Sequence, residues 1–210
     1  LKSLVLDVKV GSGAFMQDVN KARQLANSLV TVANMAGCRT SALLTDMNEP
    51  LACSAGNALE VKSALSVLKN EPFEKRLIEA TLALGATLLV TAGMFSDYEF
   101  ASERLKESLS SGKALEVFGK MIAAMGGNNN FIERSYDCLP VAENIFDFPS
   151  PCTGYLSFVN TRNLGHLVIE LGGGRKKADE TLDHSVGLDQ CVPVGQKVNQ
   201  GVLRWNKIYY

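Results

Sequence analysis

At 210 residues, with 46% hydrophobic and 20% charged residues, the chain has the composition of an ordinary globular protein able to bury a sizeable core. A formal net charge of -1, without a basic stripe interleaved with aromatics, gives no electrostatic case for nucleic acid. The longest apolar run, Leu82 to Met94, is short of a bilayer span and contains Gly85 and Gly93, and no secretion-signal pattern opens the sequence.

Leu4-Val5-Leu6-Asp7-Val8-Lys9-Val10 interleaves apolar residues with Asp7 and Lys9 and predicts a strand. Gly11-Ser12-Gly13 breaks the run. Ala22, Leu25, Ala26, Leu29, Val30 and Ala33 then recur at helical spacing, so a helix begins near residues 17–20. Strand, tight loop and helix form the unit that places a ligand at the carboxyl end of a strand in open α/β sheets. Glycines at 11 and 13 permit positive φ and close backbone approach, and the free amides of the helix suit an anion. A dinucleotide fingerprint requires glycine where Met16 stands, and the Gly-Lys-Ser/Thr ending of a Walker A loop is absent. The loop therefore reads either as an anion-facing site or as a structural turn.

Gly37 ends the helix, and Arg39 to Thr45 predicts a second buried strand. Asp46 to Pro50 is a loop. Asn57 is a candidate cap for a helix with Leu59, Ala64, Leu65 and Leu68 on its apolar face, and Glu60 in its first turn complements the helix dipole. After a break at Asn70-Glu71-Pro72, helices are predicted over Glu74–Thr91, Tyr98–Ser110 and Ala114–Met125. Leu77, Ile78, Leu82, Leu84 and Leu88 of the first are available to the core. From Asp147 the composition changes. Pro149-Ser150-Pro151 marks a linker, and Gly154–Val159 and His166–Leu171 read as short strands. Val192 to Gly201 is turn-rich, and Arg204 to Tyr210 does not continue its hairpin. The expected architecture is α/β: a mixed sheet covered by helices over residues 1–148, then a small α+β domain over 149–210. Cys38, Cys53, Cys138, Cys152 and Cys191 are odd in number and lack a CxxC pair. Neither a zinc site nor a disulfide framework is supported, and thiols in a reducing cytoplasm are expected.

Three separated stretches carry further information: Asp7 to Met16; Thr45-Asp46-Met47-Asn48-Glu49-Pro50-Leu51 with Ser54-Ala55-Gly56-Asn57-Ala58-Leu59-Glu60-Val61; and Gly172-Gly173-Gly174-Arg175-Lys176-Lys177 through Asp183-His184-Ser185-Val186-Gly187. In this order they closely resemble the thymidine and pyrimidine-nucleoside phosphorylase family, from residue 1 to about Leu203. The resemblance implies phosphorolysis of thymidine or deoxyuridine to the free base and 2-deoxy-α-D-ribose 1-phosphate. Inorganic phosphate is the co-substrate and no cofactor is required. It further implies a cytoplasmic homodimer acting on small molecules, with neither nucleic acid nor membrane as partner. Such chemistry stabilises an oxocarbenium-like sugar while phosphate waits on the opposite face, so positioning and charge carry most of it. No magnesium-binding acidic pair of a phosphoribosyltransferase is visible.

The resemblance also implies that this sequence is the carboxyl-terminal half of the enzyme. The phosphate-binding Lys-x-Ser loop and the residues that read the pyrimidine belong to a preceding half, so no catalytic residue is expected here. A non-catalytic module of the same ancestry is the alternative. By the same resemblance, Phe15 stands where a side chain closes over the pyrimidine base, a contact worth ~1–2 kcal/mol. Gly11, Ser12 and Gly13 shape the loop beside it. The other reading of Phe15 is a residue packed against the following helix. A monovalent cation near the hinge is implied as well, held by backbone oxygens of Leu51 and Ser54 with the carboxylate of Glu60. If that ligand lies one turn further along, Ser63 stands there and weakens the site. His166 and His184 are expected to be structural. The Gly172–Lys177 run looks like a phosphate cradle but is expected to be a turn.

Overall fold

The computed structural model describes residues 1–71, 74–201 and 207–210. Strand β1 (Ser3–Val10) leads into helix α1 (Val19–Met35) and back into strand β2 (Arg39–Asp46). The two strands pair in parallel over their whole lengths, from Ser3 beside Arg39 to Val10 beside Asp46. Alternation along β1 sends Leu6, Val8 and Val10 to one face, where they pack with Ala42 against Ala22 and Ala26 of α1. Two alanines on the helix let it lie close to the sheet. Asp18 starts α1 by accepting from the Lys21 amide at 2.9 Å. Asn34 fastens its end to β2, its side chain bonding both the amide and the carbonyl of Thr40 at 3.0 Å.

Helices α2 (Asn57–Leu68), α3 (Lys75–Thr91), α4 (Tyr98–Ser110) and α5 (Lys113–Ala124) follow in the expected order. Helix α3 packs on both strands, and Ser41 of β2 meets Thr91 at 2.8 Å. Its core contribution is smaller than its sequence promises: Ala86 is its buried residue, and Leu88 is exposed. On the other strand face Lys9 pairs with Asp7 at 2.7 Å, and Thr45 donates to the same carboxylate. The proposed break at Pro72 lies outside the described residues, as do Arg204, Trp205 and Asn206.

After the helical turn α6 (Ser135–Cys138) the elements are β3 (Ile145–Asp147), β4 (Gly154–Tyr155), α7 (Thr161–Val168), β5 (Gly187–Asp189), β6 (Lys197–Val198) and β7 (Lys207–Tyr209). Strands β3, β7 and β5 form an antiparallel sheet with β7 in the middle, and β4 pairs antiparallel with β6. Two expectations are corrected here. The run His166–Leu171 is helical, lying in α7 and the π-helical turn Ile169–Gly173 that extends it. Asn160 initiates that helix by accepting from the Asn163 amide at 3.1 Å, and its β-branched residues follow the cap rather than their own preference. Of Gly154–Val159, only Gly154 and Tyr155 join a strand.

The carboxyl-terminal elements dock on the turn before α2. Ala55 and Leu188 exchange both backbone hydrogen bonds, at 2.9 and 2.8 Å, and the Cys191 amide donates to the Cys53 carbonyl at 2.8 Å. This docking displaces the cap expected at Asn57. Gly56 occupies the cap position, the Ala58 amide is satisfied by the His184 carbonyl at 3.0 Å, and the Asn57 side chain donates to the Gly173 carbonyl. Gly56 (φ 147°) and Gly187 (φ 155°) face one another across the junction. A Cβ on Gly187 would stand 2.4 Å from the Ala55 carbonyl oxygen, and one on Gly56 2.5 Å from that of Val186. Alanine at Gly187 is therefore expected to cost more than about 2 kcal/mol in denaturant unfolding. Alanine at Gly112, which has φ 76° and open space around it, is expected to cost about 1 kcal/mol.

Candidate functional site

Parallel pairing brings the loops after β1 and β2 out side by side. The Met47 amide donates to the Val10 carbonyl at 2.6 Å, and the Gly13 amide returns to Met47 at 3.0 Å. The first loop closes on itself through Ala14 to Gly11 (3.0 Å) and Gly11 to Met16 (3.3 Å). The Ser12 amide donates to Asn48 Oδ1 at 3.0 Å. Every amide from Gly11 to Ala14 thus has a protein acceptor. These four amides are taken, and at the start of α1 the Asp18 carboxylate accepts from the Lys21 amide. Of the two readings of the loop, the structural turn accounts for these four donors.

The two glycines act for different reasons. Gly11 has φ 133°, and a Cβ there would strike Asn48 at 2.7 Å. Gly13 does not take positive φ. It is needed because the Thr161 methyl sits where its Cβ would be, 2.6 Å away. Ala14 is buried, at 2% exposure, whereas Phe15 next to it is 91% exposed. So exposed a ring is not packed on α1, and the loop holds it in solvent at the carboxyl end of β1.

Residues 158–163 complete the surroundings. Ser12 Oγ donates to the Val159 carbonyl (3.1 Å) and to Thr161 Oγ1 (3.4 Å), and Arg162 Nη2 donates to the Ala14 carbonyl (3.1 Å). Between the two parts lies an open cavity of about 490 Å³, bounded by Ser12, Gln17 and Asn48 on one side and Phe158, Asn160 and Arg162 on the other. Among the described residues Arg162 is the one charged residue on its wall, and Phe15 stands outside it. Asn48 is held in turn by Asp46, whose carboxylate accepts from its amide at 3.1 Å and its side chain at 2.5 Å. Arg76 bonds Asp46 at 3.2–3.4 Å and also pairs with Glu49.

Ser54 Oγ bonds Ser63 Oγ at 2.7 Å in a buried hydroxyl pair, Glu60 accepts from the Gly56 amide at 3.2 Å, and Leu51 lines a separate cavity of about 690 Å³. Among the described residues no group of three histidine, cysteine, aspartate or glutamate side chains stands ready for a metal ion. In the Gly172–Lys177 run the Lys176 and Lys177 amides donate to Glu180, at 2.7 and 3.2 Å, and Lys176 pairs with Glu170 at 2.7 Å. A carboxylate of the chain already sits where a phosphate would. His166 and His184 are both exposed.

Two thiols, Cys53 and Cys191, line the cavity that Leu51 also borders. Glu74 is buried and accepts from the Cys53 amide at 2.9 Å and from the Cys53 thiol. Burial and the Glu74 carboxylate push the Cys53 thiol up to about 11; burial and Asp189 push Cys191 up to about 12. Neither is a nucleophile at neutral pH. Among residues that the sequence does not single out for a site, Asn48 lies in the loop from Asp46 to Pro50. Thr161 and Arg162 were hidden in a segment whose one available signal was Asn160, a helix-starting residue.

Residues 1–115 match the glycosyl transferase family, a/b domain, and residues 155–203 match the pyrimidine nucleoside phosphorylase C-terminal domain. The chain is 48% identical over 201 residues to a thymidine phosphorylase of Rhizobium meliloti, covering 96% of this chain and 46% of that protein. Thymidine phosphorylases of Mesorhizobium japonicum and Burkholderia cenocepacia are 45% identical over the same shares. The chain thus spans about half the length of the curated relatives it matches. No helix among the described residues is long and apolar enough to cross a membrane.

The raised thiols set a pH dependence. Each folded value lies above the ordinary 9.0, so the stabilisation is complete below about pH 9 and declines as pH climbs towards 11–12, because unfolded thiols ionise first. Denaturant midpoints are expected to fall between about pH 9 and 11, and to fall less in a Cys53→Ala/Cys191→Ala variant.

Proposed function

Because this chain belongs to the glycosyl transferase family through its a/b domain, we propose that it forms part of a thymidine phosphorylase. The enzyme transfers the 2-deoxyribosyl group of thymidine to inorganic phosphate. The C1′–N1 bond breaks with its electron pair passing to the base, which takes up a proton, and a phosphate oxygen bonds to C1′. The observation that carries the reading is Phe15: an aromatic ring held in solvent at the carboxyl end of a parallel strand, on a loop whose amides from Gly11 to Ala14 are engaged. Such a loop offers an apolar face to a pyrimidine and keeps water from it, while charge stabilisation of sugar and phosphate comes from elsewhere in the enzyme. Gly11, Ser12 and Gly13 contribute by shaping that loop.

A homodimer in the cytoplasm goes with this assignment. The compartment is supported by five cysteines of which none forms a disulfide. A monovalent cation at the turn before α2 belongs to the same reading, with backbone oxygens of Leu51 and Ser54 and the carboxylate of Glu60 as its ligands. Its support is the choice of hard oxygen donors.

The full-length enzyme is expected to release thymine from thymidine only when phosphate is present. Phe15→Ala is expected to raise the KM for thymidine about 5- to 30-fold and to leave that for phosphate within about two-fold. Steady-state kinetics with each substrate varied in turn checks both. An equal rise in the two constants, or a loss of stability with unaltered kinetics, rejects the role given to the ring.

A further inference from the structure

The loop that carries Phe15 does not hold its shape alone. Its outer side is gripped by residues about 150 positions further along the chain. Ser12 Oγ bonds the Val159 carbonyl and Thr161, the Thr161 methyl fills the space over Gly13, and Arg162 reaches the Ala14 carbonyl at 3.1 Å. The last contact has the greatest leverage on the ring. The Ala14 carbonyl belongs to the peptide plane that includes the Phe15 nitrogen, and that plane is rigid. A donor holding the oxygen therefore fixes where the Phe15 nitrogen and Cα lie, and leaves φ of Phe15 as the rotation that aims its side chain. The donor is itself well placed. Arg162 is in the first turn of α7, where the Asn160 cap bonds the Asn163 amide at 3.1 Å, and Thr161 beside it is buried. Its hydrogen bond is charge-assisted. Arg162 is exposed, so its truncation opens no cavity in the core.

Resting on the reading of this loop as the nucleoside-facing one, we propose that Arg162 is a positioning residue, which fixes the stance of Phe15 through the Ala14 carbonyl and thereby sets the affinity for nucleoside. In the full-length enzyme Arg162→Ala is expected to raise the KM for thymidine about three- to ten-fold, with the KM for phosphate within about two-fold. Arg162→Lys, which keeps a cationic donor, recovers part of the loss. Because one residue acts through the other, the Arg162→Ala/Phe15→Ala enzyme is no worse than Phe15→Ala alone. Additive losses, or an equal rise in both constants, overturn the proposal. Hydrogen exchange of residues 10–17, measured without substrate, is expected to accelerate in Arg162→Ala while α1 exchanges as before. Unchanged exchange in the loop rejects the brace itself. A Phe15→Ala enzyme with an unaltered KM for thymidine instead rejects the nucleoside reading, and with it the kinetic half of the proposal.

Discussion

The parallel pairing of β1 with β2 is the constraint from which the site follows. Eight residues of each strand run side by side and end together, Val10 beside Asp46. Parallel strands release their following loops on the same edge of the sheet, so two segments more than thirty residues apart in the chain leave the sheet as neighbours. Every polar contact of the first loop with Met47 and Asn48 presupposes that register. A slip of one residue would turn Leu6, Val8 and Val10 away from Ala22 and Ala26 and would carry Asn48 out of reach of Ser12.

On that base a polar relay is built outward. Arg76 of α3 holds Asp46 and Glu49, Asp46 holds Asn48, and Asn48 holds Ser12, whose hydroxyl reaches Val159 and Thr161. Each link is worth on the order of 1 kcal/mol, and several are exposed enough to be worth less. Their combined effect is geometric: helix, two loops and the start of α7 are tied into one arrangement, with the aromatic ring of Phe15 left outside it. Glu49 extends the relay to the carboxyl-terminal residues by accepting from the Val194 amide at 2.6 Å. The loop is thus rigid where it meets protein and open where it meets solvent.

Residues 1–125 are legible in the sequence because their signals are local. The alternation in β1, the alanine stripe of α1, Gly37 at its end and the apolar spacing of α2 to α5 each describe one element without reference to another. The glycines of the loop are legible for the same reason, whereas the part given to Phe15 comes from the family resemblance alone. What is not legible depends on contacts between distant segments. Asn57 has every local mark of a cap, yet its side chain bonds Gly173 because docking of residues 184–188 satisfies the helix start first. The segment from His166 to Leu171 is short and rich in β-branched residues, and only the Asn160 cap and its packing make it helical. Thr161 and Arg162 belong to the site solely through tertiary contact, which no periodicity announces. Gly13 illustrates the limit well: its need for glycine was readable, but the reason is a threonine 148 positions away.

The facing glycines at 56 and 187 carry a consequence for exchange between relatives. Each leaves room for the other's backbone, so the junction tolerates a side chain on neither partner. A carboxyl-terminal unit transplanted from a related enzyme will seat only if it brings its own bare position opposite Ala55. The interface is thereby written as a pair, and chimaeras inherit it whole or lose it.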